Sequence, residues 1–198
     1  MRNKVLVFLG IATLITILFF LSKRVNLNPY YEVGQKIDSL NGVIVYYNGG
    51  VGNVSERNLS EDGYNIGLKY QCVEFVKRYY YQKLNHKMPD SYGHAKDFFE
   101  LGLDDGDFNK KRSLLQYSNP SKSKPRKDDL IVYSKTVFNQ YGHVSIVSEV
   151  VGEKVEIIQQ NPGPFSNSRE IYDLIYTEDD GKWKIKNDRI IGWLRKPN

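Results

Sequence analysis

His143-Val-Ser-Ile-Val-Ser-Glu-Val-Val151, then Gly152-Glu153, then Lys154-Val-Glu-Ile-Ile-Gln-Gln-Asn161 carries most of the information about the fold. β-Branched residues dominate both halves and Gly-Glu supplies a turn between them, so the segment predicts a hairpin. Along the first strand Val144, Ile146 and Val150 share one face, which leaves His143 on the other with Ser145 and Val147. Working outward, Leu130–Tyr133, Glu170–Thr177, Trp183–Lys186 and Ile190–Leu194 have the same strand character, with Asp179-Asp180-Gly181 as a further turn. Upstream the pattern changes. Over Cys72–Leu84, Val73, Val76 and Tyr80 recur at helical spacing beside Cys72, Phe75 and Tyr79, which predicts the best helix outside the N-terminus. His94–Leu101 reads as a weaker second helix and Gly42–Tyr47 as a short strand, while 48–69 reads as a glycine-rich loop and 110–127 as an exposed basic connection. Helices first and an antiparallel sheet second is the α+β order, not alternating βαβ units.

The chain has 198 residues, 40% apolar and 26% charged, which suits one globular domain and sets aside disordered and coiled-coil classes. Lys and Arg exceed Asp and Glu by 28 to 23, a net charge of +5, too mild for a nucleic-acid footprint. No nucleic-acid partner is expected. The single cysteine forbids an internal disulfide and a cysteine-based zinc cluster.

Val5–Leu21 runs without a charge and would make a helix of about 26 Å, just short of a bilayer's hydrocarbon core. Arg2 and Lys4 precede it, and Lys23 and Arg24 follow. The expectation is a retained single-pass anchor that meets the membrane through residues 5–21, with the domain outside the cytoplasm. The division that follows is an anchor over 1–24, a polar connector over 25–41 and a catalytic domain over 42–198.

Only one thiol and three imidazoles are available for nucleophilic chemistry. Cys72 falls on the first turn of its helix, where the helix dipole and free N–H groups stabilise a thiolate. His86 and His94 read as surface or capping residues, whereas His143 opens the most regular strand. A buried free cysteine is commonly a small hydrophobe, and a histidine at a strand edge is commonly structural.

Tyr70-Gln-Cys-Val-Glu-Phe-Val-Lys-Arg78 resembles the cysteine motif of CHAP domains, the cysteine- and histidine-dependent amidohydrolases/peptidases. Gly142-His-Val-Ser-Ile-Val147 resembles their histidine motif, and Ile158-Gln-Gln-Asn161 the segment that supplies the third residue. The similarity extends over roughly 34–195 to the amidase domain of bacterial glutathionylspermidine synthetase/amidase. It implies a papain-like α+β fold, with Cys72 as nucleophile, His143 as general base and then acid, and neither cofactor nor metal. The family's usual third residue, a Glu, falls on Gln159. A neutral amide can orient an imidazole without supplying the charge that stabilises its cation. Asn161, two residues on, shares the strand face and is the other candidate to orient His143.

The hairpin offers an internal check. A two-residue loop at Gly152-Glu153 places Gln159 opposite Ile146, on the wrong face for His143. A three-residue loop, 151–153, places Ser145 opposite Gln159 and His143 opposite Asn161, so the triad requires the longer loop or a bulge. The sequence thus leads to a membrane-anchored thiol amidase or peptidase. Its substrate is either a glutathionylspermidine-like peptide-amine amide or a peptidoglycan peptide. The alternative is a non-catalytic CHAP-like module that binds substrate or wall, with Gln159 marking lost turnover. Lys77 and Arg78 read equally as contacts for an anionic substrate group or as a plain exposed helix face.

Overall fold

A computed structural model describes residues 2–22, 24–137 and 139–197. In chain order the elements are α1 (Arg2–Ser22), β1 (Lys36–Leu40), β2 (Val43–Tyr46), β3 (Arg57–Leu59), β4 (Asn65–Leu68) and α2 (Cys72–Leu84). A 3-10 turn, Ala95–Phe98, precedes β5 (Phe108–Asn109), β6 (Leu114–Ser118), β7 (Leu130–Tyr133), β8 (His143–Val151) and β9 (Lys154–Ile158). The chain closes with β10 (Arg169–Thr177), β11 (Lys182–Ile185) and β12 (Ile190–Arg195). Eight strands form one sheet in the order β11-β10-β9-β8-β7-β12-β6-β5, every neighbouring pair antiparallel. The hairpins β1–β2 and β3–β4 stand apart as two small sheets. The result is a mixed α/β architecture dominated by an antiparallel sheet.

Both faces of the large sheet are covered, so the first six residues of β8 are all buried rather than alternating. Val144 and Ile146, with Leu130 and Val132 of β7, pack against Phe75, Val76, Tyr79 and Tyr80 of α2. Ile131, Tyr133 and Val147 point the other way, into a second cluster with Ile157, Leu174 and Trp193. Burying a large apolar side chain contributes about 2 kcal/mol, and this two-sided burial pins the strand register.

That register comes about differently from the expectation. Val151 pairs with Lys154, so the turn is the two-residue Gly152-Glu153, with Gly152 at φ +55. The three-residue loop is absent. Between Glu149↔Glu156 and Val147↔Ile157 the ladder slips by one residue, which leaves Ser148 as a bulge. Ser148 Oγ donates to Glu156, reaching its carbonyl at 3.1 Å and its carboxylate at 2.6 Å. Past the bulge Ile146 faces Ile158, so Ser145 and Gln159 come to opposite positions on one face, as the triad requires.

Four further expectations are corrected. Residues 25–41 are more than a connector. Asn26 accepts from the Tyr47 hydroxyl at 2.8 Å, Asn28 donates to the Pro164 carbonyl at 2.7 Å, and Lys36–Leu40 pairs with β2. The 48–69 stretch contains the β3–β4 hairpin. Gly67, at φ +140, lies so close to α2 that a Cβ there would meet Glu74 Cα at 3.0 Å, so glycine lets the strand press on the helix. Within 110–127, Leu114 and Gln116 of β6 are buried beside β12. The expected helix at 94–101 shrinks to the 3-10 turn.

α1 includes an apolar stretch, Asn3–Ser22, long enough to cross a membrane. Its polar interruptions satisfy themselves, Thr13 and Thr16 donating to the carbonyls of Leu9 and Ala12.

Candidate active site

α2 begins at Cys72 because Gln71 is extended and the backbone turns helical only after it. The helix ends where Asn85 adopts a left-handed conformation and its N–H bonds to Tyr80 O. The Cys72 side chain is buried at the junction of α2 and β8. The backbone N–H groups of Val144, Val73 and Cys72 itself favour its thiolate, yet burial dominates and pushes the thiol up to about 11. The lowered thiol pKa that a helix start suggests is therefore not realised. Full enclosure in protein outweighs three N–H dipoles.

The residue before Val144 is His143. Its side chain is buried on the face shared with Tyr133, whose ring centroid is 5.5 Å away. Nε2 of His143 lies 2.9 Å from Gln159 Oε1. The Gln159 amide is turned so that its Nε2 donates to the Asn167 carbonyl at 3.1 Å and to the Glu170 carboxylate at 3.0 Å. Both are pure acceptors, so Oε1 must be the atom facing the imidazole, and His143 Nε2 must carry the proton. Nδ1 is then the basic nitrogen. Burial pushes His143 down to about 4, more than the Gln159 bond raises it, with Arg189 lowering it further and Glu170 opposing. Thiol and imidazole are thus both neutral near pH 7. Cys72 packs with Val144 on the α2 side of the sheet, His143 lies on the Tyr133 side, and the two share no hydrogen bond.

Asn161 does not reach His143. At φ +58 its Nδ2 donates to the Val51 carbonyl at 3.0 Å and to Gln71 Oε1 at 2.8 Å, tying the end of the hairpin to the residue before the thiol. Of the two candidates, Gln159 is the one that bonds to the imidazole. Between them, Gln160 turns to the helix side, where Nε2 donates to the Gln71 carbonyl at 3.0 Å and to Glu74 at 2.9 Å. Glu74 also holds Arg78 at 2.6 Å and accepts from Asn58 at 2.7 Å. This buried network fixes the N-terminus of α2 against β9.

Lys77 and Arg78 are not an exposed face. Lys77 Nζ donates to the carbonyls of Asn65 and Ser91. Desolvation, then the charges of Arg112 and Arg57, bring its pKa down to about 7. Two surface hollows, of about 410 and 380 Å³, are lined by other residues, the first by Ser148, Glu156 and Arg169. Among the described residues no group of His, Cys, Asp and Glu is placed to hold a metal ion.

Sequence reasoning missed Glu170, Gln160 and Tyr133. The Gln159-Gln-Asn161 run is itself a signal, since three consecutive amides at a strand end need partners on both faces. Glu170 is invisible without the β9–β10 register, in which it faces Ile157.

Three relatives share about 30% identity with this chain. The trypanothione synthetase of Crithidia fasciculata is 30% identical over 134 residues, covering 67% of this chain and 20% of that protein. The glutathionylspermidine synthase of the same organism is 30% identical over 141 residues, covering 65% and 19%. The bifunctional glutathionylspermidine synthetase/amidase of Escherichia coli (strain K12) is 29% identical over 147 residues, covering 70% and 23%. The chain therefore spans about a fifth of the length of these relatives. The crystal structure of Ly7917 superposes at a TM-score of 0.27 with 24% identity over 39% of this chain and 30% of that one, too partial an overlap to define a fold. The CHAP domain model matches residues 62–161, from the β3–β4 turn through Cys72 and His143 to Asn161, and the chain belongs to the CHAP domain family.

Proposed function

We propose that this chain is a thiol amidohydrolase or peptidase of papain-like design, held to a membrane by α1, with Cys72 as nucleophile and His143 as its base. The observation that carries the reading is the join at Val144. The thiol packs in one cluster with Val144, and the residue before Val144 is an imidazole whose Nε2 proton is committed to Gln159, leaving Nδ1 free to take a proton.

Because both groups rest neutral, the proton moves during attack rather than before it. Sγ attacks the amide carbonyl carbon as Nδ1 takes the thiol proton. The oxyanion forms beside N–H groups at the start of α2. The imidazolium then gives its proton to the leaving nitrogen as the C–N bond breaks, leaving a thioester. Water, deprotonated by Nδ1, cleaves the thioester to release the acid and regenerate the thiol. No step calls on a metal or cofactor. Thiol–imidazole contacts are commonly loose without substrate, which accommodates the missing hydrogen bond.

The relatives' names favour a glutathionylspermidine-like amide, a peptide acid joined to an amine. An anchored domain outside the cytoplasm favours peptidoglycan peptides instead. Asn26 and Asn28 are bonded into the domain, so only residues 23–25 separate it from Ser22, a reach of about 10 Å. On the membrane reading the site works close to the bilayer surface.

The test is turnover by the full chain in nanodiscs, on glutathionylspermidine and on a peptidoglycan stem peptide, beside the Cys72→Ser and His143→Ala variants. Hydrolysis of one substrate, abolished in both variants, is expected. The deep burial of both groups favours the second reading, a binding module. Tight binding without hydrolysis by the native chain would establish that reading and overturn the first.

A further inference from the structure

We infer that Glu170 is the positioning residue of this site, supplying from the next strand the negative charge that Gln159 lacks and setting the tautomer of His143 through the Gln159 amide. The inference rests on the pairing of His143 with Gln159 proposed above.

Three observations carry it. Glu170 Oε1 accepts from Gln159 Nε2 at 3.0 Å, and Gln159 Oε1 faces His143 Nε2 at 2.9 Å, so imidazole, amide and carboxylate lie in series. A primary amide passes orientation along this line because its two ends differ, an acceptor towards the imidazole and a donor towards the carboxylate. Glu170 also favours the charged form of His143 directly. Finally, the carboxylate is itself held: Oε2 accepts from the Tyr172 hydroxyl. A carboxylate bonded at both oxygens, by the Gln159 amide and by the half-buried Tyr172 hydroxyl, is built to hold one position.

The groups facing His143 are few. Glu170 raises its affinity for a proton, Arg189 lowers it, and Tyr133 lies against the ring as a neutral phenol. The Asn167 carbonyl also accepts from the Gln159 amide, at 3.1 Å, and holds one of its two protons. Glu170 is the partner that adds charge. In this arrangement the carboxylate acts through the amide and touches neither the thiol nor the substrate.

The experiment is a ring-nitrogen NMR titration of the full chain in micelles, with His143 assigned by loss of its signals in His143→Ala. In the native chain His143 carries its proton on Nε2. In Glu170→Ala the neutral ring is expected to divide between the two tautomers, and its proton affinity to fall about tenfold, one pKa unit. Glu170→Gln keeps an oxygen that can accept the amide proton, so it is expected to restore the Nε2–H tautomer while leaving the affinity lowered. A Glu170→Ala protein with native tautomer and native titration overturns the inference. A native protein protonated on Nδ1 overturns the His143–Gln159 pairing beneath it. Tautomer control without turnover leaves the inference standing and removes only the catalytic reading.

Discussion

Replacing the neutral amide by the acid usual in the family, Gln159→Glu, is the obvious attempt to improve this site, and the structure says it fails. The Gln159 Nε2 position lies 3.0 Å from a Glu170 oxygen and 3.1 Å from the Asn167 carbonyl. A carboxylate there loses both donors and faces two acceptors. Two full charges 3.0 Å apart repel by about 6 kcal/mol at an effective dielectric of 20. Protonating a carboxyl at pH 7 costs less, about 4 kcal/mol from an unperturbed pKa near 4.3, so the pair takes up a proton and that smaller figure is the penalty. The folded-state pKa of the new carboxyl is raised above its unfolded value. Its penalty is therefore absent below the unfolded pKa and grows as pH rises. Urea unfolding of the full chain in micelles is expected to show a loss of about 4 kcal/mol at pH 7 and about 1 kcal/mol at pH 5, relative to native protein at each pH. The swap Gln159→Glu with Glu170→Gln restores a donor beside the new carboxylate and is expected to recover most of the loss. Native stability for the single variant at pH 7 would refute the amide orientation on which the tautomer of His143 depends.

Three other expectations follow from the same geometry. Glu74→Ala leaves the buried Arg78 without its ion-pair partner, and is expected to cost about 3–5 kcal/mol in chemical denaturation. His143 has a folded pKa of about 4 against about 6.5 unfolded. The unfolded chain takes up the proton first as pH falls, so about 3 kcal/mol of stability is lost between those two values; the loss should disappear in His143→Asn, measured as the difference between urea midpoints at pH 7 and pH 4. Deleting Ser148 removes the bulge and its grip on Glu156, but Val147 still pairs with Ile157 and Ser145 still faces Gln159, so turnover should persist, measured on whichever substrate the native chain cleaves.

What could be read in advance follows from how local each signal is. The helix at Cys72 and the strand at His143 declare themselves through spacing and β-branching within their own segments, and the structure starts both elements at those residues. The β3–β4 hairpin did not, because Arg57–Leu59 and Asn65–Leu68 are short, and glycine is there to let the strand approach α2 rather than to make a loop. The basic run hid β6 for a similar reason: Leu114 and Gln116 follow Lys110-Lys-Arg112 closely and need β12, distant in sequence, to reveal their inward face. At the site the motif residues were legible and their environment was not. Position on a helix argued for an acidified thiol, whereas burial beneath two packed layers, a property of the whole fold, raises it instead.

The hairpin shows how a correct requirement can be met by an unforeseen device. Facing of His143 and Gln159 demands that one extra residue lie on the β8 side between the turn and the site. Turn chemistry alone offered one place for it, the loop, and Gly152-Glu153 is a complete two-residue turn without it. The extra residue sits instead at Ser148, halfway along the hairpin, where its hydroxyl binds both the backbone and the side chain of Glu156. Glu156 in turn binds Arg169 at 2.6 Å, and Arg169 binds Asp38 of β1 at 3.0 Å. The slip that aligns the site is thereby clamped by three strands, β9, β10 and β1. A loop insertion would give the same parity with no such clamp, leaving the register to the turn. This is why deleting Ser148 separates the two roles: Ser145 still faces Gln159, while the hydroxyl that binds Glu156 is gone. If parity is all that matters, the deletion keeps turnover in full; if the clamp also holds Gln159 in place, turnover persists but the pH profile of the imidazole broadens and shifts. Loss of all turnover in a deletion chain that still folds would mean that facing strand positions do not govern the site.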